Sequence, residues 1–206
     1  MLSKDGNHYI IKGKRYARLS HVVETMIPNV PLERWRDRVG DEEADRISLK
    51  TSDYGTKIHL ITMCNDRGEE EKVRKTGEED SSLLVHLFTW DQWAKKYIKK
   101  WIAIEKVVWS DELMVAGTVD RVDEFVGEKQ LCIHDLKTGA LYDEIGVKLA
   151  GYKIMWNERE KRKVGRYSAV QLSRKEPGTI RVREYTNEKY EKKFREICRQ
   201  YHEMRY

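Results

Sequence analysis

Asp120, Asp135 and Lys137 lie in two neighbouring apolar runs, Leu113–Val122 and Gln130–Gly139. A carboxylate at the end of a half-buried strand is costly unless it is paired or holds a metal. Alternate residues of a strand share a face, so Asp135 and Lys137 point the same way. Carboxylate oxygens are the ligands that Mg²⁺ and Mn²⁺ prefer. A lysine ammonium beside them can contact an attacking water or a phosphate and stabilise developing charge. Together these groups suit hydrolysis assisted by a divalent ion. Taken one at a time, each carboxylate could equally be an exposed strand-end acid, and the lysine an exposed strand lysine.

The words around these residues are more specific. Tyr54-Gly55-Thr56-Lys57-Ile58-His59, Ala116-Gly117-Thr118-Val119-Asp120-Arg121, Ile133-His134-Asp135-Leu136-Lys137-Thr138-Gly139 and Lys148-Leu149-Ala150-Gly151-Tyr152 follow one another in that order. In type, spacing and order they resemble the RecB-like branch of the PD-(D/E)XK nuclease superfamily. The resemblance implies an α/β restriction-endonuclease-like core of order αβββαβ, a central mixed sheet flanked by helices, here with an N-terminal helical extension. It implies one or two Mg²⁺ or Mn²⁺ ions held by His59, Asp120, Asp135 and the backbone carbonyl of Leu136. Lys137 then acts beside the metal, and Glu105 is expected near it, directly or through water. Glu105 could equally be one half of a surface ion pair.

Further positions follow from the same resemblance. Tyr152 and Lys148, four apart, share one helix face that leans over DNA in this branch. Lys148 stands where glutamine is usual, which leaves the polar role of that position open. Thr138 turns the chain after the catalytic strand, within reach of a phosphate. His134 points to the opposite strand face from Asp135 and reads as structural. The basic run Arg159, Lys161, Arg162 and Lys163 is a candidate phosphate patch.

The implied activity is metal-dependent hydrolysis of DNA phosphodiesters. Exonuclease action in recombination, repair or viral genome processing leads. A structure-specific or single-strand endonuclease is the alternative within that class. A non-catalytic DNA-binding or assembly subunit that keeps the fold is the alternative outside it. The expected partner is DNA, single-stranded or as duplex ends, with a helicase or annealing protein as a candidate second partner. Oligomeric state is open.

The elements that must position these residues are legible from pattern. Residues 8–18 read as a hairpin turning at Gly13. Helices follow at 20–27 and 31–40, stopped by Pro28 and by Gly40, then at 41–50 and 52–65. The charge-dense stretch 66–80 reads as a solvated loop. A helix is predicted over 81–101, strands at 104–109, 112–123 and 130–137, a helix at 142–158, strands at 166–173 and 179–185, and a last helix at 187–205 capped by Thr186 or Asn187. Trp90, Trp93, Tyr97 and Trp101 would share one face of the 81–101 helix, a core stripe opposite solvated lysines. The whole, 1–206, reads as a single nuclease domain: 1–80 a hairpin and helices carrying His59, 81–206 the catalytic core and C-terminal helix.

Composition is consistent with a folded, highly charged protein: 39% of residues are hydrophobic, 36% are charged, and the net charge is +5. That balance tolerates nucleic acid without requiring it. Cys64, Cys132 and Cys198 are scattered and odd in number, forming neither a disulfide framework nor a metal knuckle. Some RecB-like nucleases carry an iron–sulfur cluster on four cysteines; three in one chain cannot supply that set, so no cluster is expected. An intracellular, cytoplasmic setting without membrane contact is the matching expectation.

Overall fold

The computed structural model describes residues 3–204. Its strands are β1 (Ser3–Asp5), β2 (His8–Ile11), β3 (Lys14–Arg18), β4 (Ile98–Ser110), β5 (Val115–Phe125), β6 (Leu131–Lys137), β7 (Val164–Leu172) and β8 (Ile180–Glu184). Its helices are α1 (Leu19–Met26), α2 (Val30–Val39), α3 (Asp41–Asp66), α4 (Glu70–Glu79), α5 (Leu83–Tyr97), α6 (Asp143–Arg159) and α7 (Glu188–Glu203). From α5 onward the order is αβββαβ, with β8 and α7 appended. The strands form one eight-stranded mixed sheet with helices on both faces.

Side-chain alternation along the strands separates two cores. Ile133 of β6 and Ala169 of β7 face α1, α6 and α7, where Leu19, Leu149, Met155, Phe194 and Ile197 are fully buried. Leu136 and Val170, on the opposite face, meet Ile58 and Ile61 of α3 and Trp90 and Trp93 of α5. The apolar stripe of α7 therefore packs on the sheet. Asn187 caps that helix, its side chain accepting from the Lys189 N–H. Among the described residues no helix is long and apolar enough to cross a membrane.

Three predicted elements differ. Residues 41–50 and 52–65 form one continuous helix of 26 residues. Thr51 does not break it, its hydroxyl donating to the Ile47 carbonyl at 2.7 Å within the helix. The 66–80 stretch holds helix α4 rather than a loop. Glu70 and Glu71 in its first turn favour the positive end of the helix dipole, and Arg74 pairs with Glu78 one turn on at 2.7 Å. Gly77 lets Leu84 pack close: a Cβ there would lie 2.7 Å from a Leu84 methyl. The 81–101 helix ends at Tyr97, and the chain enters β4 at Ile98. Trp101 therefore belongs to a strand, and it reaches Trp90 across elements in a parallel stack with centroids 6.0 Å apart.

The centre of the sheet is where the site forms. β4 pairs antiparallel with β5 along the whole length of β5. The other edge of β5 is shared. β3 runs parallel to it at Val115 and Ala116, and β6 antiparallel at Arg121–Glu124. Residues 117–120 lie between those two partners, so Asp120 sits where β5 and β6 have already parted.

Candidate metal centre

Five elements deliver side chains to this parting. α3 brings His59, β4 Glu105, β5 Asp120, β6 Asp135, Leu136 and Lys137, and α6 Lys148 and Tyr152. Two glycines allow the approach. A Cβ on Gly55 would lie 3.2 Å from the Thr138 hydroxyl, so the bare backbone lets α3 close on the end of β6. A Cβ on Gly117 would lie 2.8 Å from the Tyr152 ring.

Asp120 accepts the Leu136 N–H through Oδ2 at 3.2 Å, bridging the parted strands. His59 Nδ1 stands 3.5 Å from the same oxygen, and its Nε2 lies 2.9 Å from the Leu136 carbonyl. That carbonyl also accepts from the Lys137 ammonium at 3.3 Å. Glu105 faces Asp120 across the β4–β5 pair, between the register partners Ile104–Arg121 and Lys106–Val119. It does so with a backbone φ of 53°, in the left-handed region, which a non-glycine residue rarely adopts and which clusters at functional sites. One ligand atom from each of His59, Glu105 and Asp120 lies within 4.8 Å of the others. Two carboxylates and an imidazole suit Mn²⁺ or Mg²⁺.

Asp135, expected as a ligand with His59 and Asp120, lies outside that group of three and has a different set of neighbours. It is 1% exposed. One oxygen contacts the Lys137 ammonium, and the other lies 3.7 Å from that of Lys148. Burial opposes its charge, yet Lys137, Lys148 and His59 together hold its carboxyl below the usual carboxylate range. Burial likewise works against the Lys148 ammonium, and Asp135 and Asp120 keep it protonated. Lys148 thus has a defined electrostatic partner. Tyr152 is buried beside it, with the Lys148 ammonium 5.7 Å from its ring. Burial and the two aspartates push its phenol well above the ordinary value.

Behind the site lies a layer that sequence reasoning missed. Arg121 is fully buried and donates to Asp66 Oδ2 at 2.7 Å and to the Asp120 carbonyl at 3.0 Å. Its guanidinium is 3.5 Å from Glu105. Trp90 donates to the other Asp66 oxygen at 2.9 Å. The available signal was an arginine inside an apolar strand, since a fully buried arginine requires a partner.

The basic patch is not brought to the site. Lys163 lies beside Leu131, at the end of β6 remote from Lys137. Arg159 donates to the Trp109 carbonyl at 3.1 Å and pairs with Asp111. Arg162 pairs with Glu124 at 2.6 Å, and Lys163 donates to the Glu160 carbonyl at 2.9 Å. Lys161 is exposed in the same turn. Three of these four cations are thus engaged within the protein, Lys163 at the C-terminal carbonyls of α6 and Arg159 and Arg162 on the β4–β5 hairpin.

Glu105 titrates unusually. Burial, then the charges of Asp120 and Asp135, push its carboxyl from 4.5 to about 7, against the pull of Arg121. Between those values the folded chain holds a proton that the unfolded chain has released. The contribution to stability is complete below about 4.5 and is lost as pH rises through about 7. Melting temperature in chelator should therefore fall across this window, and Glu105→Gln should flatten the fall. An unchanged slope in that variant would remove Glu105 from the acidic cluster.

The sequence matches no protein-family model, and no curated protein matches it. A solved structure from Eubacterium rectale, described as that of a "putative exonuclease", superposes with a TM-score of 0.43 at 8% identity. The match covers 69% of this chain and 63% of that one, so this chain spans less than two thirds of that neighbour's length. At this distance the likeness carries nothing about chemistry, which rests on the chain's own residues.

Proposed function

We propose that this chain, as a single nuclease domain, is a divalent-metal-dependent deoxyribonuclease that hydrolyses phosphodiester bonds, with exonuclease action as its mode. The observation that carries the reading is the convergence of His59, Glu105 and Asp120 beside the Asp135–Lys137 pair. The order of the four sequence words around these residues supports it.

His59, Glu105 and Asp120 are the residues that would hold Mg²⁺ or Mn²⁺, with the Leu136 carbonyl turned to the same place. The ion supplies charge neutralisation at the phosphate and acidifies a bound water. The protein's own groups do the positioning. Arg121 fixes the strand segment that carries Asp120 and restrains Glu105. Asp135 holds the Lys137 ammonium near the Leu136 carbonyl, where it can meet a phosphate oxygen or an incoming water. Lys148 adds a second positive charge, and Tyr152 closes the wall.

The test uses linear and circular DNA, single- and double-stranded, the linear forms labelled separately at each end, with Mg²⁺ or Mn²⁺. Loss of label from linear DNA with circles untouched is the expected result, and the label lost first gives the polarity. Cutting of circles would replace the exonuclease reading with the endonuclease one. No cleavage with either ion would overturn the catalytic reading in favour of a DNA-binding subunit.

A further inference from the structure

A second group of donor atoms lies elsewhere on the β5–β6 pair. Asp123 of β5 stands opposite Cys132 of β6 in register. His134 follows two residues along, on the same face as Cys132. The three are 0%, 2% and 4% exposed, respectively. One oxygen, one sulfur and one nitrogen from them lie within 4.8 Å of each other.

The surroundings leave these atoms unsatisfied. Ser168 of β7 engages His134 Nδ1 at 2.7 Å, so Nε2 is the nitrogen turned toward Asp123, 3.2 Å from its Oδ2. That contact is a buried ion pair, and its geometry falls short of a well-directed hydrogen bond; Asp123 Oδ1 has no hydrogen-bond partner among the described residues. Buried polar atoms are ordinarily satisfied, and each that is not costs about 1–3 kcal/mol. With the Cys132 thiol beside them, these atoms make a buried donor set suited to one shared cation. Cys132 and His134 also line a cavity of about 350 Å³ walled by Trp93, Tyr97, Phe125 and Tyr167. Trp93 packs edge-on against the His134 ring, with centroids 5.2 Å apart, fixing its plane.

We propose that Asp123, Cys132 and His134 form a binding site for a zinc-class transition-metal ion, with a further coordination position turned to the cavity. The donor chemistry selects the ion. Thiolate, imidazole and carboxylate are the ligands of Zn²⁺, whereas Mg²⁺ and Mn²⁺ favour oxygen. His59, Glu105 and Asp120 offer no sulfur, so a metal–thiolate bond would be specific to the group around Cys132. Ser168 orients the imidazole, as the outer partner of a ligating histidine does. On binding, Cys132 releases its thiol proton to solvent and ligates as thiolate. The ion would tie β5 to β6 next to the segment where the two strands part.

The test is metal content, which is independent of cleavage. Protein purified without chelator should carry about one zinc per chain, retained in Asp120→Asn and lost in Cys132→Ala. Replacement by Co²⁺ should produce a sulfur-to-cobalt charge-transfer absorption that Cys132→Ala lacks. Should Cys132→Ala not fold, the isosteric Asp123→Asn gives the same reading: zinc affinity lowered by about tenfold or more supports the site, and unchanged affinity overturns it. Purified protein without zinc whose metal-free form shows no such absorption with Co²⁺, or zinc that survives the loss of Cys132, also overturns it.

Discussion

Asp135→Asn should lower the rate of DNA cleavage by on the order of 10³-fold, the loss typical of removing one preorganised charge-stabilising group from an active site. Binding of DNA should persist or tighten, because a negative charge leaves a site that faces phosphate. The same substitution has a structural cost. Asp135 is the counter-charge for both Lys137 and Lys148. Breaking a fully buried ion pair from one side costs about 3–5 kcal/mol. Both lysine side chains are 25% exposed, so about 2 kcal/mol is the expected loss here. Asp135→Asn/Lys148→Gln should recover much of that stability in urea denaturation while remaining inactive. A wild-type cleavage rate in Asp135→Asn would sink the site assignment, and an inactive but equally stable variant would sink the electrostatic account of Lys148.

Arg121→Met should be the most destabilising single change, at about 3–5 kcal/mol, because it strands a buried carboxylate. Asp66 is almost completely enclosed and, among the described residues, keeps only the Trp90 indole as a side-chain donor once Arg121 is gone. The Asp120 carbonyl loses its donor in the same step. Cleavage should fall in proportion to the disorder of Asp120, with metal affinity falling alongside. The compensated pair Arg121→Met/Asp66→Leu should regain most of the stability, since apolar groups of similar volume often replace a buried ion pair without loss. It should not regain full metal affinity, because the guanidinium no longer holds the Asp120 carbonyl or draws on Glu105. Denaturation midpoints and Mn²⁺ titrations of the three variants separate the two effects. A loss under about 1 kcal/mol in Arg121→Met would show that the pair contributes as little as a surface one.

The order of the elements was legible because each carries a strong local signature: apolar runs holding Val115, Val119 and Val122 in β5 and Leu131, Ile133 and Leu136 in β6, Pro31 and Gly40 around α2, and the Tyr190–Phe194–Ile197–Tyr201 stripe of α7. The convergence of His59 with Asp120 was legible only through the family words, since 61 positions separate them and no local rule joins such distant residues. What stayed hidden depended on three-dimensional neighbours. Trp101 continues a helical aromatic spacing, and only pairing with β5 draws it into a strand. The charges of 66–80 resemble a loop until their signs are placed along a helix. Lys148 departs from the expected glutamine, and its meaning appears only when Asp135 is seen opposite. Arg159, Arg162 and Lys163 form a patch along the chain, but acidic side chains and carbonyl groups engage them in space. Asp123 and Cys132, nine positions apart, become neighbours through strand register alone.

The left-handed backbone of Glu105 sets two evolutionary pressures against each other. A non-glycine residue in that conformation costs about 1–2 kcal/mol, and glycine would remove the cost and the carboxylate together. Selection for thermal endurance alone would therefore drive position 105 toward glycine or asparagine. Selection for turnover would hold glutamate in place despite its strain. The residue found at this position in any descendant of the chain thus records which of the two pressures prevailed in that lineage.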